Sequence, residues 1–251
     1  MLGQDVARLS GGLALPRAEL DVTDRTAVRE AIEPGDLVFN CAAWTDVDGA
    51  EEHEDEATRV NGEGARHVAE AAGTVIYVST DYVFDGGKGT PYVESDPTNP
   101  LSAYGRSKLA GERATAAANP RHFVVRSSWL FGTGGRNFVE VMLGLGPEVR
   151  VVDDQVGCPT FTGHLAQALV RLASTTDYGL HHMAASGACS WFEFAREIFA
   201  RAGVDIRVSP CTTEEFPRPA ARPAYSVMES ERGHRLPHWQ EGLAAYLGVR
   251  V

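Results

Sequence analysis

The chain has 251 residues, of which 43% are hydrophobic, and a formal net charge of −11. That length and apolar content suit one large α/β domain, or a domain with a smaller lobe. The acidic balance argues against a nucleic-acid partner, which needs a basic face to neutralise phosphates, and it leaves any phosphorylated ligand to local Arg side chains or backbone N–H groups.

In chain order, residues 1–9 read as the start of a helix with no strand before it. A dinucleotide-binding fold opens with a strand, a glycine-rich turn and then such a helix. Only Gly3 can belong to that turn, so the chain reads as one lacking its first strand and most of its phosphate loop. A short strand is predicted at 13–15, a helix at 24–32 and a stronger strand at 36–43. Residues 51–72 place Ala57, Val60, Gly64, Val68 and Ala71 at helical spacing. Strands follow at 74–79 and 122–131, with a helix at 102–118 between them. Beyond 133 the pattern loosens, with helices at 161–174 and 190–202 and a strand at 179–186. The segment 209–225, rich in Pro and charge, reads as a loop over a cleft or a lobe connection.

Strands that alternate with helices predict a parallel sheet with crossover helices. The expected fold is therefore α/β, a Rossmann-like doubly wound sheet with a small C-terminal substrate lobe. Residues 1–132 form the cofactor-binding part. Residues 133–251 form a mixed part with further sheet elements and the lobe. The four cysteines are widely spaced and include no Cys-x-x-Cys pair, which disfavours zinc and dithiol readings. His181-His182 reads as packing, because no third ligand is spaced to match, and no metal site is assigned. With no signal peptide and no apolar run long enough to span a bilayer, the expectation is a cytoplasmic protein without a membrane partner.

The chemistry concentrates in Tyr104-Gly-Arg-Ser-Lys108, downstream of a strand ending in Ser79-Thr80-Asp81. Residues i and i+4 share a helix face, so Tyr104 and Lys108 can point into one cleft. An ammonium beside a phenol favours the phenolate and is expected to pull Tyr104 below its ordinary value near ~10. A phenol so tuned exchanges a proton with a carbonyl oxygen, which a neighbouring hydroxyl can orient. Of the 23 basic residues only Lys88 and Lys108 are lysines, so a lysine completes the pair against a strong preference for Arg.

These residues resemble those of the extended short-chain dehydrogenase/reductases. Within that group the chain looks like the dTDP-4-dehydrorhamnose reductases, which reduce an NDP-sugar 4-keto group to finish dTDP-L-rhamnose. The similarity is carried by Glu19-Leu-Asp-Val-Thr-Asp24, Asn40-Cys-Ala-Ala-Trp-Thr-Asp-Val-Asp48, Val60-Asn61, Ser79-Thr-Asp-Tyr-Val-Phe-Asp-Gly86 and Tyr104-Gly-Arg-Ser-Lys-Leu-Ala-Gly-Glu112. Further on it includes Arg126-Ser-Ser-Trp-Leu-Phe131, Asn137-Phe138, Asp154-Gln-Val-Gly-Cys-Pro-Thr160 and Arg222-Pro223.

The resemblance implies roles. Tyr104 is the general acid at the C4 carbonyl oxygen, Thr80 hydrogen-bonds that oxygen, and Lys108 holds the nicotinamide ribose and lowers the tyrosine's pKa. Gly3, Asp21, Val22, Cys41, Ala42, Ala43 and Asn61 lie along the cofactor. Thr45, Val47, Asp81, Tyr82, Trp129, Asn137 and Arg222 line the sugar-nucleotide pocket, with Ser128 beside Trp129. Arg17, where an acidic residue would bind an NAD ribose, suits a 2′-phosphate and favours NADPH, with NADH the alternative. Some relatives dimerise with Mg2+ at the interface, and both the dimer and the ion stay open here. So does the identity of the hexose, since another NDP-sugar 4-ketoreductase of deoxysugar biosynthesis fits the same motifs. A dehydratase is disfavoured because Tyr82 stands where those relatives carry a carboxylate. A non-catalytic regulatory subunit of the same fold is the other alternative, favoured by the incomplete cofactor loop and opposed by the intact Thr80, Tyr104 and Lys108.

Overall fold

The structure is a computed structural model that describes residues 1–249. Its first helix, α1 (Leu2–Ser10), ends at Gly11 in the left-handed conformation. The segment predicted as a strand at 13–15 is not one. It is exposed and irregular, with Leu13 86% accessible, because no neighbouring strand among the described residues pairs with it. Helix α2 (Arg25–Ala31) starts at Asp24, whose carboxylate accepts from the Thr26 and Ala27 amides. Strand β1 (Leu37–Asn40) follows.

The expected helix over 51–72 is broken. It comprises α3 (Gly49–Glu52), α4 (Glu54–Thr58), a π-helical turn at Arg59–Gly64 and α5 (Ala65–Ala71). The π turn rotates Asn61 inward to backbone partners outside the helix, a local irregularity that apolar periodicity does not register. Strand β2 (Thr74–Thr80), helix α6 (Ala103–Ala118) and strand β3 (His122–Ser127) complete the first half. The predicted strand at 122–131 stops at Ser127 and resumes as β4 (Leu130–Phe131), because Trp129 turns the backbone to φ 46°.

The second half holds α7 (Phe138–Leu143), β5 (Glu148–Val152), β6 (Val156–Gly157), β7 (Thr160–Phe161) and α8 (Thr162–Ala173). After these come β8 (Gly179–His182), β9 (Ala185–Ser186), β10 (Cys189–Ser190), α9 (Trp191–Ala202), β11 (Arg207–Cys211), β12 (Leu236–His238) and α10 (Trp239–Val249). The loop expected at 209–225 thus begins inside β11, which pairs in parallel with β5.

The central sheet is parallel, in the order β1-β2-β3-β8, so the second half contributes a strand to the first half's sheet. Alternation along the strands decides which helix covers which face. Ile76, Phe123 and Val125 point toward α1 and α8, meeting Leu2, Val6, Leu165 and Leu169. Val75 faces α2 and α5 through Val28, Ile32 and Val68, while Tyr77 and Val124 pack with Ala65. Both faces are covered, which is why β2 carries the fully buried run Val75, Ile76 and Tyr77. Helix α6 approaches the sheet closely at Gly111, where a Cβ would collide with the Asn61 carbonyl and the Tyr77 hydroxyl. A separate core of Phe131, Val139, Phe194, Ile198, Trp239, Leu243 and Tyr246 holds the C-terminal lobe together. No helix among the described residues is long and apolar enough to cross a membrane.

Candidate active site

Strand β2 ends at Thr80, and helix α6 brings Tyr104 and Lys108 to the same end of the sheet. Ser102 caps that helix by accepting from the Gly105 amide, so Tyr104 lies in its first turn. The Thr80 hydroxyl lies close enough to the Tyr104 hydroxyl to influence its charge state. Tyr82 meets Tyr104 edge-on, with ring centroids 5.9 Å apart.

Burial pushes the Tyr104 phenol up to about 12, helped by Asp81 and opposed by the Thr80 hydroxyl. The expected depression by Lys108 is therefore absent. Lys108 is buried with its ammonium 4.2 Å from the Tyr77 ring centroid, and it donates to the Val78 carbonyl at 2.6 Å. Burial brings Lys108 itself down to about 7, against the attraction of Glu112 and Cys41. An ammonium has three donors, and this one makes a single hydrogen bond among the described residues. Two N–H groups remain for the hydroxyls of a ligand such as a ribose, so the residues present fit a dinucleotide there.

Asp81 is placed differently from the expectation of a pocket-lining carboxylate. It is 1% exposed, with Oδ1 accepting from Thr80 Oγ1 at 3.1 Å and Oδ2 from Ser226 Oγ at 2.5 Å. Burial raises it to about 7 despite those two bonds. Its geometry orients the Thr80 hydroxyl and ties the 212–226 segment to the site. Asn61 is likewise fully buried and spent on the protein. Its Oδ1 accepts from the Trp44 amide at 2.8 Å, and its Nδ2 donates to the Trp44 carbonyl and to Ser107 Oγ. Ser107 donates in turn to the Tyr104 carbonyl at 2.8 Å. One side chain thereby fixes the loop after β1 relative to the helix that carries Tyr104.

That loop holds Cys41, Ala42, Ala43, Thr45 and Val47. Gly3, in the first turn of α1, sits against Cys41, and a Cβ there would lie 3.5 Å from the cysteine Cβ. Burial raises the Cys41 thiol to about 11, so it behaves as a small apolar wall. Arg17 and Asp21 meet on the exposed rim, with Arg17 Nη2 4.0 Å from an Asp21 carboxylate oxygen. Hydrogen bonds from Thr23, then Arg17 and Arg59, hold Asp21 below its ordinary value. Val22 packs against Gly64 of the π turn.

The loop ends at Asp48, which closes the Asn40–Asp48 motif but had no role assigned to it. Its carboxylate accepts from Arg222, Arg218 and the Ala220 amide. Partial burial pushes this carboxyl up, but those bonds outweigh it and bring it down to about 2. Arg222 also lies beside Tyr82, whose ring meets Tyr104 edge-on, so Asp48, Arg222, Tyr82 and Tyr104 line one side of the site.

One further expectation, Asn137, separates from this wall. Asn137 is buried in the C-terminal lobe, where it caps α7 and donates to the Gly132 and Gly135 carbonyls. It builds the lobe instead of offering its amide to a ligand. Trp129 stacks on Trp191, with ring centroids 3.5 Å apart and planes within 4°. Gly157 is required beside it, since a Cβ there would strike the indole. Ser128, also buried, donates to the Cys158 carbonyl.

Known proteins similar to the chain span nearly all of it. The family model described as the RmlD substrate binding domain matches residues 2–250. The chain is 45% identical over 256 residues to the dTDP-4-dehydrorhamnose reductase of Mycobacterium tuberculosis (strain ATCC 25618 / H37Rv), which spans 94% of this chain and 84% of the relative. Among solved structures it is similar to a dTDP-4-dehydrorhamnose reductase from Clostridium acetobutylicum ATCC 824, with a TM-score of 0.95 at 40% identity, over 99% of this chain and 95% of that one. It is also similar to a dTDP-4-dehydrorhamnose reductase from Bacillus anthracis strain Ames in complex with NADP, with a TM-score of 0.93 at 37% identity, over 100% of this chain and 95% of that one. The chain belongs to the RmlD substrate binding domain family.

Proposed function

We propose that this protein is an NADPH-dependent oxidoreductase that reduces the C4 keto group of dTDP-4-dehydrorhamnose to give dTDP-L-rhamnose, acting in the cytoplasm as an extended short-chain dehydrogenase/reductase. The neighbouring Thr80 and Tyr104 hydroxyls, with Lys108 one turn further along the same helix, carry this reading. Relatives named as dTDP-4-dehydrorhamnose reductases, one of them solved with NADP, support it.

When bound, the reduced nicotinamide supplies the hydride. Tyr104 donates the matching proton to the C4 oxygen, so a C=O becomes a CH–OH. A phenol pushed up to about 12 is protonated throughout the neutral range, which is the form an acid must hold before the reaction. Thr80 sits beside the same oxygen and hydrogen-bonds it by turning its single hydroxyl proton away from Asp81 Oδ1, where it points in the structure. Lys108 binds the ribose hydroxyls through its two free N–H groups. Arg17 lies on the adenosine side, with Asp21 and Val22. The loop from Cys41 to Val47, together with Tyr82, Arg222 and Trp129, encloses the sugar nucleotide. Residues 1–132 supply the cofactor part, and 133–251 supply the lobe together with β8.

The test is NADPH oxidation on addition of dTDP-4-dehydrorhamnose, for the wild type and Tyr104→Phe. The expected result is turnover that falls by about two to four powers of ten in the variant, the usual reach of general acid catalysis, with unchanged thermal unfolding. A variant of near-normal rate would remove Tyr104 as the acid, and a wild type inert toward the sugar but active on another NDP-4-keto hexose would reassign the substrate.

A further inference from the structure

A second cluster of chemistry-bearing side chains lies at the far edge of the sheet. His181 on β8 is fully buried, and its Nε2 lies 2.7 Å from the Asp177 backbone carbonyl. A carbonyl only accepts, so Nε2 carries the proton and Nδ1 presents a lone pair. That lone pair faces Nε2 of His234 at 2.8 Å. His234 is half-buried, on the loop before β12. The Asp177 carboxylate completes the group, and one ligand atom from each of the three residues lies within 4.8 Å of the others. Along the sequence these residues are too far apart to suggest a set.

We propose that Asp177, His181 and His234 form a three-ligand site for a divalent transition metal ion, Zn2+ in preference to Mg2+ or Ca2+. Two imidazole nitrogens and a carboxylate match zinc, whereas Mg2+ and Ca2+ favour all-oxygen shells. Nitrogens bound to one tetrahedral zinc at about 2.0–2.1 Å stand roughly 3.3 Å apart, so the rings need to part by only about 0.5 Å. His181 is fixed by the sheet, and its Nε2–H bond to the Asp177 carbonyl is the outer-shell contact that orients a ligating ring. The adjustment falls on the His234 loop. A cleft of about 220 Å³, lined by Asp177, His234, Met183 and Leu172, gives water access to a fourth position.

The charges around the site identify its competitor. Glu94 and Asp177 attract a cation, while Arg232 already holds the Asp177 carboxylate at 2.6 Å. Metal binding exchanges that guanidinium for the ion. Arg232 is one-third exposed and can turn into solvent. Glu94 anchors the same loop by accepting from Ser230 Oγ and the Glu231 amide, so the ion would clasp strand β8 to the segment leading into α10.

The test uses untagged protein treated with EDTA and desalted, titrated with Zn2+ by calorimetry and with Co2+ by visible absorption. The expected results are one equivalent bound, a Co2+ d–d band of low-symmetry nitrogen–oxygen ligation, and a higher Tm at saturating Zn2+. His234→Ala and Asp177→Asn should each weaken binding at least tenfold and abolish the band. Arg232→Gln should tighten binding several-fold because it frees the carboxylate, an outcome that a mere hydrogen-bonded histidine pair does not produce. Wild-type binding no tighter than millimolar, affinity unmoved by His234→Ala, or weaker binding in Arg232→Gln would overturn the site.

Discussion

The Asp48 carboxylate grips the Arg222 guanidinium with two parallel hydrogen bonds, Nη1 to Oδ1 and Nη2 to Oδ2, each 3.0 Å long. The fork geometry makes this a directional tie as well as a charge pair. It closes the 212–226 segment onto the loop after β1, beside Tyr82.

Asp48→Ala should therefore raise the KM for the sugar nucleotide about tenfold, worth about 1.4 kcal/mol, while kcat changes less. The pair also has a pH signature. The carboxyl sits at about 2 in the folded chain against an ordinary 3.8, so its contribution is fully present above about pH 4 and is lost as pH falls toward 2. Thermal unfolding of wild type and Asp48→Ala across that window should converge at the acid end. Parallel curves would show that the pair adds nothing to stability.

Lys108→Met should increase thermal stability while abolishing cofactor binding. Burial brings the lysine down from 10.5 to about 7. The unfolded chain therefore takes up its proton first as pH drops, and the folded state loses stability between those two values. The gain from Lys108→Met should grow as pH falls from about 10 to 7 and stay constant below. A variant less stable at pH 7 would mean that the Val78 hydrogen bond and the Tyr77 contact outweigh the burial cost.

Glu112→Ala should be severely destabilising without touching substrate. Glu112 and Arg126 form a two-pronged pair at 2.8 and 2.7 Å, with side chains only 7% and 4% exposed, and Ser79 donates to the same carboxylate. Removing one partner strands a buried charge, at a cost of about 3–5 kcal/mol. Urea denaturation measures it, and a loss under 1 kcal/mol (a bound set by the worth of exposed pairs, roughly 0–1 kcal/mol) would show that water reaches Arg126.

Arg17→Asp should move preference from NADPH toward NADH, because a carboxylate repels a 2′-phosphate and accepts from a ribose hydroxyl. The measurement is kcat/KM for both cofactors. An unchanged ratio would leave Arg17 as a rim charge paired with Asp21.

What the sequence made legible was local. Tyr104 and Lys108 are one helical turn apart, so spacing alone placed them together, and Thr80 followed from the end of an apolar strand. What it hid was long-range or spent on support. Asp48 meets Arg222 across 174 positions. Asn61 looked like a ligand contact, yet its amide clamps Trp44 and Ser107. Asn137 carried a motif match but caps a helix in another core. The segment at 13–15 had the composition of a strand without a ladder to join, and propensity cannot supply the partner. Trp239–Val249 drew no attention, although Leu243 and Tyr246 are fully buried in the lobe.

Among the described residues, β1 pairs with β2 alone, and Leu37 at its start is 44% exposed. Part of its outer edge is open to an extended segment, although the Phe39 carbonyl already accepts from the Cys41 amide. No proline interrupts it, and its four residues, Leu37, Val38, Phe39 and Asn40, carry no charge to repel a visitor. Two such chains at high concentration can join edge to edge into a continuous sheet. The expected consequence is association that rises with concentration, which sedimentation velocity over a concentration series measures, and a sedimentation coefficient constant across that series would remove the edge as a contact.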